Sequence, residues 1–230
     1  MTSIAENLAI IRGTMQDALR QAASDVASVN LIAVSKTKPA DDVRQALVAG
    51  QRLFGENRVQ EAASKFPELK TAYPDLELHL IGPLQTNKVE QAVKLFDVIQ
   101  TLDRPKLAEA LAKAKIKFGT LPKLYIEVNI GHEPQKAGIE PEHLDEFLRF
   151  CRKDCGLEIH GLMCIPPQDV DPIPYFRQMR QLADYYTLPQ LSMGMSGDYT
   201  QAIMAGATQI RVGSAIFGER PVIVTPENQQ

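Results

Sequence analysis

Short apolar runs and longer amphipathic stretches take turns along this chain. Residues 3–23 read as a helix, with Ile4, Leu8, Ile11, Met15 and Leu19 recurring on one face. Ser3-x-x-Glu6 in front of them has the form of a capping box. Leu31-Ile32-Ala33-Val34 follows, an apolar run between Asn30 and Ser35, which is the pattern of a parallel strand buried on both faces. Pro39 then opens a helix that runs through Ala49 and stops at Gly50. The same alternation predicts further strands over 52–54, 76–81, 98–101, 123–130, 157–163, 190–192 and 209–212. Helices are predicted over 58–72, 87–96, 104–118, 141–153, 174–186 and 199–205. The helix over 141–153 carries the clearest stripe, Leu144, Phe147, Leu148 and Cys151.

Strands that alternate with helices imply a parallel sheet. About eight such units in roughly 200 residues fit a closed (β/α)8 TIM barrel of class α/β, here with an extra N-terminal helix. No linker composition or internal repeat interrupts the pattern, so a single domain is expected over 1–230, with the last residues, 227–230, frayed. An open doubly wound sheet is the alternative. No G-x-G-x-x-G follows the first strand, so a dinucleotide site has little support.

Composition narrows the field. The 230 residues are 44% hydrophobic and 23% charged, with a formal net charge of -3, an ordinary globular balance without the basic footprint of a nucleic-acid binder. No apolar run approaches the roughly 18 residues that span a bilayer, and the N-terminus lacks the pattern of a signal peptide. Cys151, Cys155 and Cys164 make no disulfide framework, which points to reducing cytoplasm. Neither the cysteines nor His79, His132, His143 and His160 show metal-ligand spacing, so no metal is expected.

In such a barrel the chemistry gathers at the carboxyl ends of the strands. The last two strands run into Ser192-Met193-Gly194-Met195-Ser196-Gly197-Asp198 and Arg211-Val212-Gly213-Ser214. Glycine lets backbone N–H groups approach an anion, and serine adds a donor. Either turn alone is explained by turn-making and capping. Both together, at the place where this fold binds phosphate, favour an anion site. Lys36 projects just beyond the first strand. Desolvated, or beside Lys38, its amine becomes a nucleophile able to form a Schiff base, although a lysine at a strand end is more often simply solvated. Arg211 sits within the last strand and cannot shed its charge, so it faces either a carboxylate or a ligand.

The chain resembles a known family at Ala33-Val34-Ser35-Lys36-Thr37-Lys38-Pro39, Phe54-Gly55-Glu56-Asn57, His79-Leu80-Ile81-Gly82-Pro83-Leu84-Gln85-Thr86-Asn87-Lys88, Gly161-Leu162-Met163, Leu191-Ser192-Met193-Gly194-Met195-Ser196 and Arg211-Val212-Gly213-Ser214-Ala215-Ile216-Phe217-Gly218. These segments look like the pyridoxal phosphate homeostasis proteins, also called proline synthetase co-transcribed homologues, from about Leu31 to Arg220. The resemblance implies an alanine-racemase N-terminal-domain-like barrel that holds pyridoxal 5′-phosphate (PLP) as a Schiff base on Lys36. It implies Ser196, Gly197, Gly213 and Ser214 at the phosphate and Arg211 at the pyridine nitrogen. It also implies Asn57, Met163 and Met193 along the ring, with His79 near it. Thr86 and Ala137 stand where the family commonly has serine, and Lys136 is expected near the pocket rim.

A permanent cation at the pyridine nitrogen opposes its protonation and weakens the ring as an electron sink. Racemases of this fold add a tyrosine from a partner subunit's second domain; here about 19 residues follow Arg211, and Tyr199 is the nearest candidate. The expectation is therefore a cytoplasmic, monomeric PLP-binding protein of vitamin B6 homeostasis without committed catalysis, with PLP-dependent apoenzymes as candidate partners. The alternatives are a PLP-dependent amino-acid racemase and a Schiff-base aldolase acting on a phosphorylated sugar.

Overall fold

The structure, a computed structural model, describes residues 2–22 and 28–219. Eight parallel strands, β1 Asn30–Val34, β2 Leu53–Glu56, β3 Glu77–Leu80, β4 Val98–Leu102, β5 Lys123–Val128, β6 Ile159–Cys164, β7 Gln190–Ser192 and β8 Gln209–Val212, close into a barrel in chain order. Nine helices accompany them among the described residues: α1 Ile4–Gln21, α2 Ala40–Val48, α3 Val59–Ala72, α4 Val89–Leu95, α5 Pro105–Phe118, α6 Leu144–Arg149, α7 Ile173–Tyr185, α8 Tyr199–Met204 and α9 Ser214–Phe217. The (β/α)8 barrel read from the sequence is the fold.

The strands bury both faces, for different reasons. Leu31, Ala33, Phe54, Leu78, Leu80, Ile99, Leu124, Ile126, Leu162 and Ile210 join the helices in one hydrophobic layer that includes Val43, Phe66, Leu111 and Phe176. Alternate positions point into the barrel, as the strand period of two requires. Gly55 is one of these: a Cβ there would come within 2.9 Å of Ile81 and 3.0 Å of Ile32, so its absence leaves room for two branched side chains. Below them the interior is polar. Gln100 Nε2 bonds His79 Nδ1 at 2.9 Å and donates to Gln209 Oε1 at 3.1 Å, and Gln209 Nε2 donates to Tyr125 Oη at 2.8 Å.

Barrel closure decides what stands beside what. β1 pairs with β8 at Ile32–Arg211 and Ala33–Val212, so the segment after Val34 and the turn after Val212 emerge side by side. α1 packs on α2, α8 and α9, and Asn7 Nδ2 donates to Ile216 O at 2.9 Å, which ties α9 to α1. Ser3 caps α1 in the expected capping box. Residue 23 of the predicted first helix and the expected fraying at 227–230 lie outside the described residues.

Two expectations are corrected. The helix over 141–153 is three pieces: a 3-10 turn at Pro141–His143, α6, and a π-turn at Phe150–Asp154. The apolar stripe survives these changes of pitch because Leu144, Phe147, Leu148 and Cys151 are all buried. The strand over 123–130 ends at Val128, since Asn129 leaves the sheet: its N–H donates to Ile139 O, and its side chain ties down Glu133.

Candidate functional site

The carboxyl ends of the strands enclose a cavity of about 200 Å³. Lys36 and Lys38 enter it after β1, Asn57 after β2 and Ile81 after β3. Ile165 enters after β6, Met195 and Ser196 after β7, and Arg211, Gly213 and Ser214 from β8 and its turn. Among the described residues, no carboxylate, histidine or tyrosine lines it.

Six residues singled out from the sequence thus meet in one cavity: Lys36, Asn57, Ser196, Arg211, Gly213 and Ser214. Gly197 lines the adjoining depression with Met195 and Asp198. His79, Met163 and Met193 are fully buried and do not line the cavity. For the first two the reason is one rung of strand. Ile81 and Ile165 line the cavity; His79 and Met163 lie two residues earlier on the same faces and so sit deeper. Met193 belongs instead to the hydrophobic layer under the helices. The signal for Ile81 and Ile165 was available, because a residue two places beyond a predicted inward side chain is the next to face inward.

Arg211 is 4% exposed. Its guanidinium donates to Ser192 Oγ at 2.7 Å and to Cys164 O at 2.8 Å, and no carboxylate ion-pairs with it among the described residues. The alternative of a structural salt bridge therefore does not explain it. Burial lowers its pKa below the ordinary arginine value. The Cys164 thiol, pushed up to about 12 by burial, is neutral at pH 7, so the opposing negative charges are that of Asp198 and, once it ionises, that of Glu127.

At the phosphate-type turns, Gly213 N–H donates to Ser196 Oγ at 3.4 Å and Ser214 Oγ to Ser196 Oγ at 3.3 Å. Bonds this long leave the donors available to a better acceptor. Gly213 lets β8 lie close to β1, because a Cβ there would press on Val34 O at 3.2 Å. Asp198 Oδ1 accepts from Met195 N–H at 2.5 Å and shapes the other turn. A carboxylate-free pocket with an amine, two hydroxyls and backbone N–H groups suits an anion that also carries a carbonyl.

Lys38 does not direct its amine at Lys36 as a bare charge. Its Nζ donates to Phe217 O and Glu219 O, both at 2.9 Å, and so pins the end of α9 to the β1 turn. Lys136 donates to Pro166 O at 3.0 Å and pairs with Glu133 at 2.5 Å. It lines a separate small cavity with Glu127 and Ala137, which touches the first only at Ile165. His132, Glu140 and Glu142 gather on the surface, all exposed. A cluster beside the Lys36 turn is not legible in the sequence. Lys65, on α3, donates to Ser35 O at 2.9 Å, Lys38 O at 3.1 Å, Glu56 Oε1 at 2.7 Å and Glu61 Oε1 at 2.9 Å.

Glu127 was also passed over. Burial first, then Asp103, pushes its pKa from 4.5 up to about 7, against the pull of Arg211. A carboxyl with a raised native pKa holds its proton more tightly when folded. Its contribution is complete below the unfolded value and is lost as pH rises through the native one. Glu127→Gln is therefore expected to flatten the stability profile between pH 4.5 and 7. At higher pH it should exceed the parent by up to about 3 kcal/mol. Urea midpoints across that range measure this, and parallel profiles for parent and variant would contradict it.

The alanine racemase N-terminal domain model matches residues 10–221. The chain is 40% identical over 224 residues to the pyridoxal phosphate homeostasis protein of Aquifex aeolicus, covering 94% of this chain and 97% of that one. PipY of Synechococcus elongatus, solved with PLP bound, superposes with a TM-score of 0.81 at 41% identity, over 94% of this chain and all of that one. Alanine racemase of Clostridium difficile shares the fold, with a TM-score of 0.66 at 14% identity over 94% of this chain and 57% of that one. No helix among the described residues is long and apolar enough to cross a membrane. The chain belongs to the alanine racemase N-terminal domain family and, within it, to the pyridoxal phosphate homeostasis proteins.

Proposed function

We propose that this protein binds PLP in the 200 Å³ cavity as a Schiff base on Lys36 and serves PLP homeostasis as a monomeric cytoplasmic carrier, not as a committed catalyst. The observation that carries this reading is the convergence of the Lys36 amine, both glycine–serine turns and buried Arg211 on one carboxylate-free pocket. The PLP-bound relative PipY supports the choice of ligand. When bound, PLP supplies an aldehyde for the amine and a ring that can delocalise electrons.

The chain's own residues do the rest. Ser196, Gly197, Gly213 and Ser214 present hydroxyl and N–H donors to the phosphate. Asn57, Ile81 and Ile165 complete the wall of the cavity. Arg211, fixed by Ser192 and the Cys164 carbonyl, would offer a permanent cation to the pyridine nitrogen and would oppose its protonation. Among the described residues the lining offers no second acid or base to move an α-proton, and Tyr199 packs against the hydrophobic layer instead. That is the arrangement of a holder, from which an apoenzyme could take the cofactor.

The test is to add PLP to the pure protein, follow the near-visible absorption band, and incubate the loaded protein with amino acids in D2O. A band with no α-proton exchange beyond one equivalent is expected. Sustained exchange or racemisation would overturn the carrier reading in favour of an enzyme, and absence of a band would favour the aldolase. Arg211→Gln is expected to shift or weaken the band, because protonation of the ring nitrogen is then no longer opposed.

A further inference from the structure

β5 turns one acid into the barrel. Leu124, Ile126 and Val128 join the helix-side layer, and Tyr125 bonds Gln209 in the interior, so Glu127 faces inward with Tyr125. Glu127 lines the small cavity, of about 220 Å³, that touches the first at Ile165. The far wall of this cavity is laced to the strand. Ile139 N–H donates to Glu127 O at 2.8 Å, and Asn129 N–H donates to Ile139 O at 2.9 Å. Gly138, at φ 114°, lets the turn lie this close, since a Cβ there would come within 2.6 Å of Asn129 N. Lys136 and Ala137, just before it, thus stand at the cavity.

The polar side chains of the lining are spent, with one exception. Asn129 Nδ2 donates to Glu133 O at 2.9 Å, and Asn129 Oδ1 accepts from Glu133 N–H at 3.1 Å. The Lys136 ammonium is satisfied by Pro166 O and neutralised by the Glu133 carboxylate. The Glu127 carboxyl has no hydrogen bond or ion pair among the described residues. Other ionisable groups face it from three strands without meeting it. Asp103, beyond β4, is taken by Arg104. Arg211, on β8, spends its guanidinium on Ser192 and the Cys164 carbonyl. The Cys164 thiol, on β6, is neutral at pH 7.

A carboxyl turned into a barrel without a partner costs stability, and a glutamine of the same shape avoids the charge. Nothing within the described fold offsets that cost at Glu127. The group is therefore available to whatever enters the cavity.

We infer that this cavity is an ammonium site, in which Glu127 receives the amino group of a small primary amine whose apolar body lies on Ala137 and Ile165. An anion would meet the Glu127 carboxylate, while the cation of the lining, Lys136, is already neutralised. A divalent metal would find one available carboxylate where it needs several oxygen ligands. An amine needs one charged acceptor and little room, and the cavity supplies both. An amine held there stands one side chain, Ile165, from the space that Lys36 enters. The inference does not depend on what the first cavity holds.

The test titrates propylammonium into the full chain after PLP loading and borohydride reduction. Reduction fixes bound PLP to its lysine, so the amine cannot exchange with it. Binding is read by calorimetry, and the Glu127 carboxyl by its 13C resonance. A single propylammonium is expected to bind at pH 8. The Glu127 midpoint, about 7 without the amine, should fall as the amine saturates. The protonated carboxyl must ionise to hold an ammonium, so affinity should drop about tenfold for each pH unit below that midpoint, with a proton released on binding. Glu127→Gln should weaken binding at pH 8 by roughly tenfold to a hundredfold, the loss of a hydrogen bond to a charged group, and should remove the pH dependence. Ala137→Leu narrows the cavity, leaves the carboxyl in place, and should also weaken binding. Glu146→Gln, at an exposed acid on α6, should not. Unchanged affinity in Glu127→Gln, a fixed Glu127 midpoint, propionate binding as tightly as propylammonium, or no binding at pH 8 would each overturn the inference. A chain that retains no PLP after reduction would count against the PLP reading instead, and the propylammonium titration would still decide this one.

Discussion

Lys36→Ala abolishes the near-visible band and the retention of PLP through gel filtration, while the protein stays folded. This is the expected result if Lys36 supplies the covalent attachment. No neighbouring amine is placed to substitute for it. Lys38 is held by the Phe217 and Glu219 carbonyls, and Lys136 is occupied by Glu133 and the Pro166 carbonyl. The phosphate turns are untouched, so weak, band-free binding of PLP should persist. Ser196→Ala makes the opposite separation: the band forms, but PLP binds more weakly by about 1–3 kcal/mol, the cost of a hydrogen bond to a charged group. A band of normal position and intensity in Lys36→Ala would show that the cofactor is attached elsewhere, and the carrier reading would fail with it.

The parts of this site that could be read from the sequence share a physical origin. Lys36, Ser196, Gly213 and Ser214 stand directly beyond strands whose apolar runs are unmistakable, and a barrel puts such positions at its mouth. Arg211 was conspicuous because a charge within an apolar strand demands an explanation. What was missed depends on depth and on neighbours. The family resemblance implies Met163 along the ring and His79 near it, yet Ile81 and Ile165, two residues further along the same faces, line the cavity in their stead. The raised pKa of Glu127 comes from burial and from Asp103, a neighbour on another strand end that sequence spacing does not bring near. The break in the helix over 141–153 is a change of pitch that keeps the same residues buried, so an apolar stripe cannot register it.

Lys65 is the clearest case of a residue that only the fold explains, and its replacement should have the largest effect on stability. The Glu56 carboxylate is fully buried, and burial raises its pKa, while Lys65 and Ser35 pull the other way. Lys65→Met removes the cation and leaves that carboxylate unpaired, a loss of about 3–5 kcal/mol. The sign with pH follows. Without Lys65 the native pKa of Glu56 rises further, so the deficit is largest at pH 8 and shrinks as acid protonates Glu56. Adding Glu56→Gln to Lys65→Met should restore much of the stability, because the buried charge is then gone. Urea midpoints at both ends of that pH range test these points.

The same substitution should also reach the cofactor. Thr37 stands at φ 65°, in the left-handed region that a β-branched residue avoids. It is held there by Glu61 Oε1, which accepts from its N–H at 2.6 Å, and by the Lys65 bonds to the carbonyls of Ser35 and Lys38 on either side. With the clamp gone the turn can relax and carry Lys36 off its line into the cavity. The band should then weaken in both Lys65→Met and the stability-restored double variant, since Glu56→Gln repairs the buried charge but not the turn. Normal PLP affinity in the double variant would show that Lys65 supports the fold alone and that Lys36 is aimed by something else.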